Sequence, residues 1–195
     1  MLGTAGNVSA RATKLQAMHI TPTGTAYESL TVADIVTVTF NGDPVKGAGL
    51  PSAESLLHGS IYRARPDAGA VVHAHPLFAS VLAVRHEEIP PIVDEQVIHL
   101  GGGVAVSSYA PAGSDDLAAN ALQALGTRNA ALLANHGTVA VGRDPAHALD
   151  LTRLVERLAR IWYFAAARPG AERLPDEIVQ AETELFAMLQ HTESG

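Results

Sequence analysis

His73 and His75 close the run Ala70-Val71-Val72-His73-Ala74-His75. An apolar run of that length reads as a strand, and the two-residue period of a strand turns both imidazoles to one face. A second apolar run, Ala130-Ala131-Leu132-Leu133-Ala134-Asn135, ends on His136. Gly137 is then expected to let the chain turn and to let backbone approach whatever that histidine holds. Taken alone, a His-x-His spacing also fits two satisfied or surface histidines. With a carboxylate nearby, for which Glu54 in PSAESLLHG is the candidate, three neutral imidazoles suit Zn²⁺ with one position able to open.

The rest of the chain alternates strand-type and helix-type segments. Residues 35–40 are dominated by β-branched side chains and run into Asn41-Gly42-Asp43, which predicts a hairpin returning through Pro44-Val45-Lys46 as a two-stranded ribbon. Ser52 is placed to cap a helix whose apolar residues Leu56, Leu57, Ile61 and Ala64 keep helical spacing until Arg65-Pro66-Asp67, with Glu54 in its first turn. Helices are expected near 77–84, from Ser114 to Leu125, near 145–167 and near 175–190; further strands are expected through 89–93 and near 104–107. The pattern is α/β, a mostly antiparallel sheet between helix layers, and 195 residues without a low-complexity linker fit one domain.

Charge and composition exclude several functions. The net charge is −7, from 13 basic and 20 acidic residues, with no Lys/Arg cluster, which argues against nucleic acid or an anionic membrane as partner. Cysteine is absent, so disulfides and thiol chemistry are out, and no stretch approaches the ~20 apolar residues of a membrane span. The start, Met1-Leu2-Gly3-Thr4-Ala5-Gly6, lacks the features of a signal peptide. A cytoplasmic protein is the expectation.

Any phosphate must therefore be gripped locally. Gly3-Thr4-Ala5-Gly6-Asn7-Val8-Ser9 is a small-residue loop able to turn several N–H groups toward one point, although the same loop fits a plain turn. Thr21-Pro22-Thr23-Gly24 adds hydroxyl and backbone donors, and the start of the Ser52 helix adds the favourable end of a helix dipole.

GTAGNVSAR, ITPTG, LPSAE, AVVHAHP and NHG occur in this order between residues 3 and 137, within a resemblance that runs to about residue 165. In these motifs the chain resembles the class II aldolase/adducin family, in particular aldolases of the L-fuculose-phosphate type. The resemblance implies that His73, His75, His136 and Glu54 hold one zinc ion per subunit, and that Gly6, Asn7, Thr23, Gly24, Ser52 and Ala53 hold the substrate phosphate. Ala53 stands where a serine is common, leaving only its backbone N–H. Glu54 takes the family's dual role, ligating zinc in the empty site and moving the proton when substrate displaces it. The metal would stabilise an enediolate formed from a ketose 1-phosphate, in place of a Schiff-base lysine; the chain has only Lys14 and Lys46.

The chain departs from the pattern after Ile89-Pro90-Pro91-Ile92-Val93, where relatives carry a tyrosine lent by a neighbouring subunit and this chain has Asp94-Glu95-Gln96. Asp94 and Glu95 are the candidates for the second acid, and both also fit solvated loop charges. Ala112 replaces an aromatic beside the aldehyde, and the tail from His191 to Gly195 has no tyrosine. The resemblance further implies a homotetramer with the site at a subunit boundary, an expectation that an apolar fraction of 47% supports. It implies cleavage to dihydroxyacetone phosphate and a small aldehyde. Related epimerases, dehydratases and decarboxylases share the metal and phosphate sites, and an adducin-like module without catalysis is the competing class. Relatives place a helix before the GTAGN loop, whereas here Leu2 leads straight into it; either the chain begins further upstream or this variant lacks the helix, and residues 1–6 are expected to be less ordered than the metal site.

Overall fold

A computed structural model describes residues 4–13, 15–47 and 49–193. The strands are β1 (Asn7–Arg11), β2 (Ala17–Ile20), β3 (Val36–Thr39), β4 (Pro44–Lys46), β5 (Ala70–Ala74), β6 (Ala130–Leu133) and β7 (Gly137–Gly142). They form one sheet in the order β4-β3-β2-β1-β5-β7-β6, with every neighbouring pair antiparallel. The helices are α1 (Ser55–Ala64), α2 (Leu77–Arg85), α3 (Asp94–Leu100), α4 (Asp115–Leu125), α5 (Pro145–Ala165) and α6 (Asp176–Glu193). Among the described residues, no helix is long and apolar enough to cross a membrane.

Helices cover both faces, as the alternation implies. Leu57, Ile61 and Tyr62 of α1 and Leu117, Ala121 and Leu125 of α4 pack on Val71, Ala131, Leu133, Val139 and Val141. On the other face, Leu82 of α2 and Leu151, Val155 and Leu158 of α5 pack on Ala130, Leu132 and Ala140. The two-residue period thus puts His73 on the face of Val71, toward α1.

Arg11 ties the end of α1 to the sheet. Its guanidinium donates to the carbonyls of Ala68 at 2.7 Å, Tyr62 at 2.9 Å and Arg65 at 2.7 Å, and it lies over the rings of Tyr62 at 4.8 Å and Phe40 at 5.2 Å. A lysine has no planar fork to serve three carbonyls at once. Arg11→Lys is expected to cost about 2 kcal/mol of stability through two lost charge-assisted bonds; an unchanged urea midpoint would refute it.

Several local expectations are corrected. The ribbon β3–β4 is not separate but forms one edge of the sheet. Residues 7–9, read as part of a loop, belong with residues 10 and 11 to strand β1, the unassigned residues 17–20 are strand β2, and residues 137–142 are strand β7. Residues 94–100, unassigned from sequence, are helix α3, capped by Val93 without a side-chain bond. The strands expected through 89–93 and near 104–107 reduce to isolated bridges, Ile89 to Val104 and Val106 to Leu132. Ser52 does not cap α1: its Oγ accepts from the Glu54 N–H at 3.2 Å, and Glu54 itself is the N-cap, one residue before the first turn. Met1, Leu2, Gly3 and Lys14 lie outside the described residues, as do the side chains of residues 191–193 and all of Ser194 and Gly195. The expectations for the first six residues and for the C-terminal tail fall partly on them.

Candidate metal centre

β5 delivers His73 from a fully buried position, and His75 stands exposed just past the strand end. The third histidine arrives on the β6–β7 hairpin, whose loop is Ala134-Asn135-His136 between the paired Leu133 and Gly137. Asn135 makes this turn, at φ +55°. Gly137, expected to turn the chain, is the first residue of β7 and serves as a close approach instead: a Cβ there would lie 2.4 Å from the Ala74 carbonyl oxygen and 2.7 Å from the His75 ring. α2 holds the loop from outside, since the Asn135 N–H donates to the Ala83 carbonyl at 3.1 Å and the Asn135 side chain bonds the His86 ring at 2.7 Å.

The three rings form a near-regular triangle, with centroids 4.7, 4.7 and 4.9 Å apart, and their ligand atoms lie within 4.8 Å of one another. Glu54 completes the group. Its Oε2 is 3.2 Å from His73 Nε2, and its Oε1 is 3.3 Å from His136 Nε2.

The protons can be placed from the partners. His73 Nδ1 is 3.0 Å from the carbonyl oxygen of Thr138, which only accepts. In the neutral ring the proton therefore sits on Nδ1, and Nε2 presents a lone pair to Glu54 Oε2 and to His75 Nε2, 2.9 Å away. Glu54 Oε1 is buried and accepts no hydrogen bond. Burial pushes the Glu54 carboxyl up, but once the rings are protonated the bond and charge of His73, the Asn7 bond and the charge of His136 outweigh it and bring it down to about 2. Burial, with the charges of His73 and His136, lowers His75 to about 4, and burial with the His73 charge lowers His136. Lone pairs converging beside an orphaned, ionised oxygen are the donor set of a divalent cation. The bond from His73 to Thr138 is the outer support such ligands need.

The turns read as anion-binding converge on the same end of the sheet. Gly6 abuts the His73 carbonyl, so close that a Cβ would lie 2.5 Å from its oxygen. The turn carrying exposed Thr23 and Gly24 is tied to the Ser52–Ala53 segment by a bridge from Pro22 to Pro51. Asn7 faces inward: its Nδ2 donates to Glu54 Oε2 at 2.9 Å and its Oδ1 meets His58 Nε2 at 2.5 Å. Asp94 and Glu95 are elsewhere in this chain, at the start of α3. Glu95 pairs with Arg157 of α5, and Asp94 lies beside Glu182 of α6, whose carboxyl is pushed up by burial and by Asp94.

The sequence places His58 beside a motif segment and favours a structural role for it, but does not reveal the polar group it forms behind Glu54 with Ser9 and Tyr62, linked by bonds of 2.6 and 2.8 Å. A signal was present. Glu54, His58 and Tyr62 recur every four residues, the spacing of one helix face.

An antiparallel sheet between helix layers, with three imidazoles able to hold a metal at one end, defines an α/β protein with a candidate metal centre. The family model described as Class II Aldolase and Adducin N-terminal domain matches residues 1–163, and the chain belongs to that family. It is 36% identical over 184 residues to a 5-methylthioribulose-1-phosphate/5-deoxyribulose-1-phosphate aldolase of Rhodospirillum rubrum, covering 94% of this chain and 82% of the relative. It is 39% identical over 165 residues to the L-fuculose phosphate aldolase of Escherichia coli, covering 85% and 75%. A solved L-fuculose 1-phosphate aldolase superposes with a TM-score of 0.90 at 36% identity, over 96% of this chain and 88% of that one.

Proposed function

We propose that the chain is a zinc-dependent aldolase that cleaves a ketose 1-phosphate, of the L-fuculose 1-phosphate kind, into dihydroxyacetone phosphate and a small aldehyde. The observation that carries this is Glu54: one carboxylate oxygen is held by Asn7 while the other, orphaned and ionised, points among three imidazoles. The relatives' names support a sugar phosphate as substrate. His73, His75 and His136 would hold the ion, with Glu54 beside the fourth position. When bound, zinc supplies Lewis-acid polarisation of the substrate's carbonyl and hydroxyl oxygens.

The protein's own groups do the rest. Gly6, Asn7, Thr23, Gly24, Ser52 and Ala53 take the phosphate, chiefly through backbone N–H groups and hydroxyls, which explains why no basic cluster is needed. In cleavage, the bond between the third and fourth carbons breaks as the fourth-carbon hydroxyl loses its proton and becomes the aldehyde. The electron pair left on the third carbon takes a proton from Glu54, which must first take one up from solvent; in the condensation direction the ionised carboxylate removes that proton and returns it to solvent. Asp94 and Glu95 serve the hydroxyl only from a neighbouring copy. A homotetramer meets that requirement, and exposed Leu77, Val84, Ile161 and Phe164 on α2 and α5 supply apolar surface for it. The core clusters on the two faces share one sheet, which supports reading residues 1–195 as one domain.

Turnover of a panel of ketose and aldose phosphates, with zinc and after chelation, tests this reading; full activity after exhaustive chelation overturns it, and epimerised, dehydrated or decarboxylated products reassign the reaction. Light scattering showing a monomer at micromolar concentration overturns the oligomer. Glu54→Gln keeps shape and an acceptor for Asn7 but loses the exchangeable proton, so kcat should fall by about 10²–10⁴ with KM little changed. A KM that rises as far as kcat falls would contradict the role.

A further inference from the structure

We propose that His58 is a positioning residue for Glu54, acting through Asn7 and fixed in turn by Ser9 and Tyr62. The inference rests on Glu54 being the carboxylate of the metal centre. Each bond in the chain has one direction. Ionised Glu54 can only accept, so Asn7 faces it with Nδ2 and turns Oδ1 to His58. His58 must therefore donate from Nε2, which leaves Nδ1 to accept from Ser9 Oγ at 2.6 Å. The Ser9 hydroxyl, its proton committed, accepts from Tyr62 at 2.8 Å. Tyr62, Ser9, His58 and Asn7 thus form a line of donors all pointing at one oxygen of the Glu54 carboxylate.

The line selects which oxygen is free. Oε2 is occupied, and Oε1 is left to face the imidazoles without a partner. If the imidazole lost its Nε2 proton, the Asn7 amide would be free to flip, turning its Oδ1 lone pairs onto the Glu54 carboxylate. Ser9, His58 and Asn7 also resemble a nucleophile with its base and orienting amide, but Ser9 is 1% and His58 0% exposed, so no substrate reaches the hydroxyl. Three of the five side chains are supplied by one helix face and its cap, Glu54, His58 and Tyr62, and two by alternate residues of β1, Asn7 and Ser9. Both elements therefore hold the carboxylate by their inward faces.

The test uses Co²⁺ alone as probe, titrated into chelator-stripped full-length protein in competition with a chromophoric chelator, with the visible d–d spectrum recorded. His58→Phe keeps the volume and removes both ring nitrogens. It should lower Co²⁺ affinity about 10–100-fold, the usual effect of an outer-sphere partner, and change the spectrum. His58→Gln places an amide N–H where Nε2–H stood and should restore both to near the wild-type values. If His58→Phe does not fold, Ser9→Ala carries the test, with a smaller change in the same direction. Wild-type affinity and spectrum in His58→Phe, or in Ser9→Ala where that variant carries the test, overturn the inference, as does failure of His58→Gln to rescue. A wild-type protein that binds Co²⁺ but turns over no sugar phosphate overturns the aldolase reading alone.

Discussion

Alanine at His73, His75 or His136 is expected to lower zinc affinity by more than about a hundredfold in each case, since losing a ligand exceeds the effect of losing an outer partner, and to abolish turnover. The three variants should nonetheless differ in stability when measured metal-free. His73 is 0% exposed and gives its Nδ1 proton to Thr138, so His73→Ala opens a buried void and removes a buried hydrogen bond. Its cost is about 2–4 kcal/mol. His75 is exposed beyond the strand end, and its removal should leave the urea midpoint within about 0.5 kcal/mol of wild type. Equal loss of zinc with unequal loss of stability is the signature of one metal site built on a buried anchor. Any one of the three that retains zinc at wild-type affinity removes its histidine from the ligand set.

That anchor explains why the centre could be read from the sequence. A strand has a fixed side-chain period, so His73 and His75 had to share a face, and an apolar run ending in Asn135-His136 had to end near a turn. Asn41-Gly42 and Ser114 were equally legible because turn and cap chemistry is local; Ser114 Oγ does accept from the Leu117 N–H, at 3.1 Å.

The misses have two causes. β1 was hidden because Asn7, Ser9 and Arg11 put amide, hydroxyl and guanidinium where a strand's apolar residues are expected. Those groups are satisfied only by partners far along the chain, His58, Tyr62 and the carbonyls beyond α1. α3 was hidden because it spans seven residues and has no polar cap. Gly137 was assigned the turn because glycine is the usual left-handed residue, whereas Asn135 adopts that conformation with its side chain held by His86. At β1 and at Asn135 a long-range contact outweighed a local preference, whereas α3 simply carries too little local signal.

The same buried network makes the metal-free protein sensitive to acid. Burial pushes His58 down from 6.5 to about 3, with the charge of His73 lowering it further and that of Glu54 opposing. Below pH 6.5 the unfolded chain protonates this ring while the folded protein does not, so unfolding takes up a proton and stability falls with pH. The contribution is complete above 6.5 and is lost progressively down to about 3. Glu54, lowered from 4.5 to about 2, acts in the same direction at more acid pH, because the unfolded carboxyl protonates first. In the stretch where only the unfolded ring is charged, His58 should steepen the loss by about 1.4 kcal/mol per pH unit. His58→Gln cannot titrate and should show a slope shallower by that amount, whatever its stability at neutral pH. Urea midpoints in chelator between pH 7 and pH 4 measure the difference directly, and parallel slopes for the two proteins would show that His58 is already charged in the folded state, with the donor line from Tyr62 to Glu54 broken.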